Sequence, residues 1–134
     1  MRSILVDTGV FVALFDKDDD HHQRALRFIE HKDAALITTL PVVAETMALL
    51  SFSLETQIEF LEWLAAGAVL DTEIRSDLDR ISEIMRKYAD LPADFADASL
   101  VALAERRSVL NIASFDRDFS VYRTKDKRRF KNLS

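Results

Sequence analysis

The 134-residue sequence contains no cysteine, only two glycines and only two prolines. Without cysteine the chain has no disulfide, no thiolate zinc site and no cysteine nucleophile, which agrees with a reducing compartment. So few glycines and prolines leave no flexible or proline-rich linker, and no repeat or low-complexity segment is present. Long apolar runs are missing too: "VVA" before Glu45 and "TMALL" after it fall far short of the roughly 20 residues that cross a bilayer. The opening "MRSILVDTGVFVALFD" has the apolar character of a signal peptide, but Asp7 interrupts it and no small-residue cleavage site follows. The expectation is a cytoplasmic protein of one domain, residues 1–134, with no membrane segment.

What is present is a globular composition, 49% hydrophobic and 31% charged, in a chain long enough for one core and too short for two. The formal net charge of −5 argues against a protein that holds nucleic acid by bulk electrostatics. Its distribution is uneven. Residues 117–134 carry seven basic residues, Arg117, Arg123, Lys125, Lys127, Arg128, Arg129 and Lys131, against Asp118 and Asp126, leaving about −10 for the rest. This tail is either a solvated surface or a contact for a polyanion or acidic partner.

Hydrophobic patterning predicts strands alternating with helices. "SILVDT" (3–8) reads as a buried first strand ending in the turn signal Asp7-Thr8-Gly9. A helix follows, and the acids of 17–20 suit the cap and first turn of a second one carrying Ala25, Leu26, Phe28 and Ile29. Residues 34–39 form a second strand, and Pro41 opens the next helix, where its missing N–H costs nothing. Ser53 caps a helix with a Leu54, Ile58, Leu61 stripe that stops at Gly67. Residues 68–74 form a third strand, Ser76 caps a helix through Tyr88, and a helix over 92–107 leads to a fourth strand at 109–116. The tail adds a last strand through Phe130. Such alternation implies parallel pairing and a three-layer α/β domain, with ligands beyond the carboxyl ends of the strands.

The strand ends carry acid. Strand one ends in Asp7, strand four ends in Asp116, and Asp97 begins the helix that feeds strand four. Glu45, one turn into the helix after strand two, has apolar Val42, Val43, Ala44, Met47 and Ala48 around it and no Lys or Arg within a turn. Carboxylates crowded on one rim raise one another's pKa unless a divalent cation neutralises them. Hard oxygen ligands of this kind select Mg²⁺ or Mn²⁺, and a metal so held suits hydrolysis of a phosphodiester. Plainer roles exist for each residue. Asp94 can be an N-cap, Asp7 and Asp116 turn residues, and Glu45 a helix edge. Thr8 and Ser114 either orient water or close turns. His21 and His22 face different ways on a helix and read as capping or surface residues rather than ligands.

Four segments, "ILVDTGVFVALFD" with Asp7, "VVAET" with Glu45, "DFADASLVALAERR" with Asp97 and "IASFDRDF" with Asp116, together resemble the PIN-domain ribonucleases of the VapC type, the toxins of type II toxin–antitoxin pairs. The resemblance covers nearly the whole chain. It implies a PIN-like α/β/α fold with a central parallel sheet of about five strands, a Mg²⁺- or Mn²⁺-dependent endoribonuclease, a homodimer, and a cognate antitoxin as partner. By position it makes Asp7, Glu45, Asp97 and Asp116 the metal-binding and catalytic quartet, with Asp94, Thr8 and Ser114 supporting them. The basic residues Arg117, Arg123, Lys125, Lys127, Arg128 and Arg129 would then contact RNA phosphates.

Rival readings fit less well. A haloacid-dehalogenase phosphatase needs a second aspartate where Gly9 stands, and a receiver domain built on Asp71 lacks an obvious late lysine. A non-catalytic PIN-like module that binds RNA or docks a partner remains the alternative. The helices over 54–66 and 78–88, with Phe52, Phe60 and Trp63, supply either core or a dimer interface.

Overall fold

A computed structural model describes residues 2–134. Five parallel strands, β1 (Ser3–Val6), β2 (Ala35–Thr39), β3 (Ala68–Asp71), β4 (Asn111–Ala113) and β5 (Lys131–Asn132), lie in the order β3-β2-β1-β4-β5. Helices α1 (Thr8–Phe15) and α2 (His22–His31) connect β1 to β2. Helices α3 (Leu40–Leu49) and α4 (Leu54–Gly67) connect β2 to β3, and α5 (Leu78–Lys87) and α6 (Phe95–Arg107) connect β3 to β4. The result is the three-layer α/β/α arrangement expected of parallel strands with helical crossovers. Among the described residues no helix is long and apolar enough to cross a membrane.

The order of strands reverses at β1. From there the chain builds outward to β2 and β3 on one side and to β4 and β5 on the other, so the crevice at the carboxyl ends of β1 and β4 is the topological switch point where such sheets bind ligands. Register fixes what meets there: Leu5 pairs with Ile112 and Val6 with Ala113, which sets Asp7 beside Ser114.

The core explains most helix positions. Nine consecutive residues of α6, Ala96 to Ala104, are buried, the mark of a helix surrounded by protein. Its alanines admit close neighbours, and Ser99 within it shares a 2.7 Å hydrogen bond with Thr39 at the end of β2. Phe60 is fully buried and meets Phe11 and Phe15 at ring distances of 5.3 and 5.5 Å, while Trp63 meets the same two rings at 5.8 Å. These two aromatics therefore belong to the core, whereas Phe52 is 62% exposed.

Several boundaries differ from the sequence expectations, each for an identifiable reason. β1 stops at Val6 because Asp7 turns the chain and caps α1, its side chain accepting the Thr8 amide. The acids before α2 close turns instead of capping it: Asp16 accepts the amide of Asp18 and Asp19 that of His21. β3 ends at Asp71, and a 3-10 turn over Ile74–Asp77 precedes α5, so Ser76 is no cap and its hydroxyl donates to the Glu73 carbonyl. Asp77 occupies the capping position but makes no cap bond, because Arg106 takes its carboxylate. α4 runs straight into β3 at Gly67 without a left-handed residue. The left-handed cap sits instead at Ser108, with φ 55°, at the end of α6. β4 covers only 111–113, and the final strand forms just beyond Phe130, whose ring packs edge-on against Phe119.

Arg106 binds α6 to the end of β3. Its guanidinium lies 2.6 Å from Asp71, 3.0 Å from Asp77 and 3.0 Å from Glu73. Arg80 on α5 makes a two-bond fork with Glu105, both bonds 2.8 Å. Asp71 is 3% exposed, so truncating Arg106 leaves a buried carboxylate with only Arg107, at 3.7 Å, to compensate it. The variant Arg106→Ala should lose about 3 kcal/mol of unfolding free energy in urea titration. A loss below about 1 kcal/mol would mean that Arg107 alone suffices to neutralise Asp71.

Candidate metal centre

Each acid of the carboxyl rim is placed by backbone structure. Asp7 is pinned by its own amide, which donates to the Ala113 carbonyl at 3.0 Å, and by its N-cap bond to Thr8 at 2.8 Å. The Ser114 hydroxyl donates to the other Asp7 oxygen at 2.8 Å and accepts the Asp116 amide at 3.0 Å. One side chain thus closes a turn and couples two of the acids. Asp116 accepts the amide of Asp118 at 2.9 Å. Asp94 caps α6 by accepting the Asp97 amide at 2.8 Å, which leaves the Asp97 side chain free to face β1 and β4.

Carboxylate oxygens of Asp7, Asp97 and Asp116 lie within 4.8 Å of one another. None of the ion pairs among the described residues involves any of the three. Asp71, another acid at the end of a strand, shows the contrast: it receives Arg106 and, at 3.7 Å, Arg107. The protein neutralises one set of rim acids with its own arginines and, among the described residues, pairs the other set with no cation.

The electrostatic consequence is large. Desolvation by burial, opposed by the Ser114 and Thr8 hydrogen bonds and reinforced by the charges of Asp116 and Glu45, pushes Asp7 up to about 6. Burial, followed by the charges of Asp7 and Asp94, pushes Asp97 up to about 8. Three crowded oxygen donors, two of them reluctant to ionise, are a fit for a hard divalent cation, which would supply the missing charge. Ligation at these residues leaves lone pairs on each carboxylate beyond those its present hydrogen bonds use.

Glu45 stands outside the trio. It is half-buried on α3, close enough for its charge to bear on Asp7, but it is not among the oxygens within 4.8 Å. Its surroundings are also less apolar than the sequence suggests: Val42 and Val43 are buried, yet Ala44 and Ala48 are exposed, because successive helix residues face different ways. Thr8 is buried with its hydroxyl unpartnered. His21 and His22 are not in the carboxylate group. His21 stacks on Phe115 at 4.6 Å, and His22 donates to the Ala13 carbonyl at 2.6 Å.

The basic tail is partly committed to its own fold. One Arg123 nitrogen donates to the carbonyls of Ser120, Val121 and Tyr122, and Arg128 pairs with Asp126 at 2.9 Å. Arg117, Lys125, Lys127 and Arg129 are exposed.

Sequence reasoning missed Tyr122. Its ring is fully buried between Tyr88 and Phe119, each 5.0 Å away, and its hydroxyl donates to Asp97 at 3.0 Å. Burial, then the Asp97 carboxylate, holds that phenol protonated far above its ordinary range, so it stays a donor. The only trace in the sequence is an aromatic lying shortly after the fourth acid.

The PIN domain family profile matches residues 4–125. Ribonuclease VapC26 of Mycobacterium tuberculosis is 30% identical over 117 residues, covering 85% of this chain and 87% of that protein. The 23S rRNA-specific endonuclease VapC20 of the same organism is 29% identical over 124 residues, covering 87% of this chain and 92% of that one. The crystal structure of VapC20, described as a Sarcin-Ricin loop cleaving toxin, superposes with a TM-score of 0.80 at 23% identity, over 88% of this chain and 93% of that one. FitAcB from Neisseria gonorrhoeae superposes with a TM-score of 0.53 at 21% identity, over 84% and 87% of the respective chains.

Two outcomes follow from the geometry. A carboxyl whose pKa is raised on folding favours the folded state while protonated, so its contribution falls as pH rises from its unfolded value through its folded one. In a chelator, the melting temperature should therefore fall between about pH 4 and 8, the span set by Asp7 and Asp97. Asp97→Asn should flatten the upper part of that fall, and added Mg²⁺ should stabilise the protein more at pH 8 than at pH 5. Tyr122→Phe keeps the buried ring and removes only the donor to Asp97. Calorimetric titration with Mn²⁺ should then show affinity about 10-fold weaker, and unchanged affinity would reduce Tyr122 to a packing residue.

Proposed function

The chain belongs to the PIN-domain family, and from that membership we propose that it is a Mg²⁺- or Mn²⁺-dependent endoribonuclease, one PIN domain acting as the toxin of a type II toxin–antitoxin pair. The observation that carries this reading is the group of three carboxylates within 4.8 Å, in no ion pair among the described residues, at the switch point of the sheet. Two relatives named as a ribonuclease and a 23S rRNA-specific endonuclease support RNA as the substrate class.

In this mechanism Asp7, Asp97 and Asp116 would hold the metal, and Glu45 would add negative charge beside Asp7 from α3. A Mg²⁺ or Mn²⁺ held by these residues would supply positive charge for a phosphodiester and lower the pKa of a water for its hydrolysis. Ser114 and the Thr8 amide each fix one oxygen of Asp7, so the carboxylate meets its ligand without reorganising. Asp94 holds the start of α6, and Tyr122 orients Asp97 through one oxygen. Thr8 brings an unpartnered buried hydroxyl next to Asp7. Exposed Arg117, Lys125, Lys127 and Arg129, with Arg123 and Arg128, supply positive potential for RNA phosphates beyond the acids.

The same reading includes a homodimer and an antitoxin. Leu49, Phe52 and Leu54 are each more than half exposed around the α3–α4 connection, an apolar surface that supports self-association. Sedimentation should give twice the 15.3 kDa chain mass, and Phe52→Glu should shift it toward the monomer.

The direct test is cleavage of a mixed RNA by purified protein with Mg²⁺ or Mn²⁺, beside a chelator control and the variants Asp7→Asn and Asp97→Asn. Cutting should be lost with chelator and in both variants. Cleavage and metal affinity that survive Asp97→Asn would sink the assignment of that residue.

A further inference from the structure

An acidic rim repels the phosphates it is meant to hydrolyse, so an RNA strand needs cations nearby to hold it. The tail is one source, but the structure contains a more organised one. On α2, Arg24, Arg27, Phe28 and His31 stand at helical spacing and share a face. With Arg2 and Lys32 they line a cleft of about 560 Å³. Apolar Ile4 of β1, almost fully buried, and Leu133 following β5 also border it. None of the ion pairs among the described residues engages Arg2, Arg24, Arg27 or Lys32, and Asp33 is the one acidic side chain on the cleft wall. In a chain of net charge −5, Arg2, Arg27 and Lys32 stand around one cleft with no ion pair among the described residues, whereas Arg24 is held by Phe115 and Ser134.

One end of the cleft, with Arg2, Lys32 and Asp33, lies at the amino ends of β1 and β2, and Arg24 at the other reaches the turn that carries Asp116. The Arg24 guanidinium lies 4.8 Å over the Phe115 ring, and the same side chain donates to the Ser134 carbonyl at 3.1 Å. Phe115 immediately precedes Asp116, and His21 is stacked on the same ring with its plane tilted by only 18°. From that point the row from Arg24 to His31 runs about 10 Å along the helix at 1.5 Å per residue, a reach on the order of three nucleotides of a stacked strand. Arginine forks match phosphate oxygens, and Phe28 offers a surface for a base or sugar.

We infer that this cleft is a binding track for single-stranded RNA, along which the strand runs beside α2 to reach the acidic cluster past Phe115. The inference rests on the nuclease reading above and adds to it where the substrate is held. An acidic protein segment would meet the same cations, but the direct continuation from Phe115 to Asp116 favours the polymer on which the acids act.

The test is fluorescence anisotropy of a fluorescein-labelled single-stranded RNA of mixed sequence, in chelator so that nothing is cut, with unaltered protein and with Arg27→Glu/Lys32→Glu. The double variant should bind about 10-fold more weakly or worse, and its salt dependence should be shallower by about 0.7 in log–log slope for each lost phosphate contact. Its Mn²⁺ affinity, measured by calorimetry, should stay that of the unaltered protein. The matched tail variant Lys127→Glu/Arg129→Glu should lose less. Equal affinity and equal salt slope in Arg27→Glu/Lys32→Glu, or no RNA binding by the unaltered protein, overturns the track. Displacement of the RNA by poly-glutamate at equal charge concentration would assign the cleft to an acidic protein partner and overturn it as well. The nuclease reading fails separately: an unaltered protein that binds RNA through the cleft yet never cuts with Mg²⁺ or Mn²⁺ keeps the track and loses the reaction.

Discussion

The mutual repulsion of Asp7, Asp97 and Asp116 is the constraint on which the rest of the structure depends. Three carboxyl groups come within 4.8 Å of one another although each is drawn there by a different element, the end of β1, the start of α6 and the turn after β4. The surrounding backbone is arranged to tolerate this. Asp7 and Asp116 are each held by amides or hydroxyls, and Asp97 by a phenol, all of them neutral donors that orient a carboxylate without cancelling its charge. A chain that wanted only stability had a simpler solution to hand. It uses that solution at the end of β3, where arginines of α6 neutralise Asp71.

The two treatments of acid sit at opposite ends of one helix. α6 begins with Asp94 and Asp97 at the crevice and ends with Arg106 and Arg107 near β3, in keeping with the helix macrodipole at both ends. Between them the helix buries nine residues in succession, which leaves little freedom for either end to shift alone. The parallel register of β1 and β4 adds the second fixed dimension, since moving it by one residue would send Asp7 away from Ser114. Cation supply lies off this axis, on the exposed face of α2 and on the tail.

Much of this was legible in the sequence because it is local. Asp7 and Asp116 each follow an apolar run, and Asp97 opens a helix, so their placement on one rim needs only the alternation of strands and helices. Asp94 reads as a cap for the same reason. What escaped is non-local. Tyr122 reaches Asp97 from an irregular stretch with no periodicity to announce it. Asp77 fails to cap α5 because its carboxylate serves Arg106, which lies 29 residues away in sequence. Glu45 was given an apolar shell that counts neighbours in sequence, while the helix turns two of those neighbours to solvent. Phe60 and Trp63 could not be divided from Phe52 until the rings of Phe11 and Phe15 were in place. The basic row of α2 is present in the sequence at regular spacing, but only the return of Leu133 and Ser134 beside it makes a cleft.

The buried α6 behaves as a strut, and that has a bearing on how damage in this protein is inherited by its parts. Close-packed interiors transmit strain, so a disturbance at the Arg106 anchor bears on the Asp97 end of the same helix. Asp97 and Arg106 are nine residues apart, about 14 Å at 1.5 Å per residue, so one rigid element carries a contact of the fold at one end and an acid of the site at the other. Changes selected to harden the fold at one end are at the same time adjustments of the distances between acids at the other.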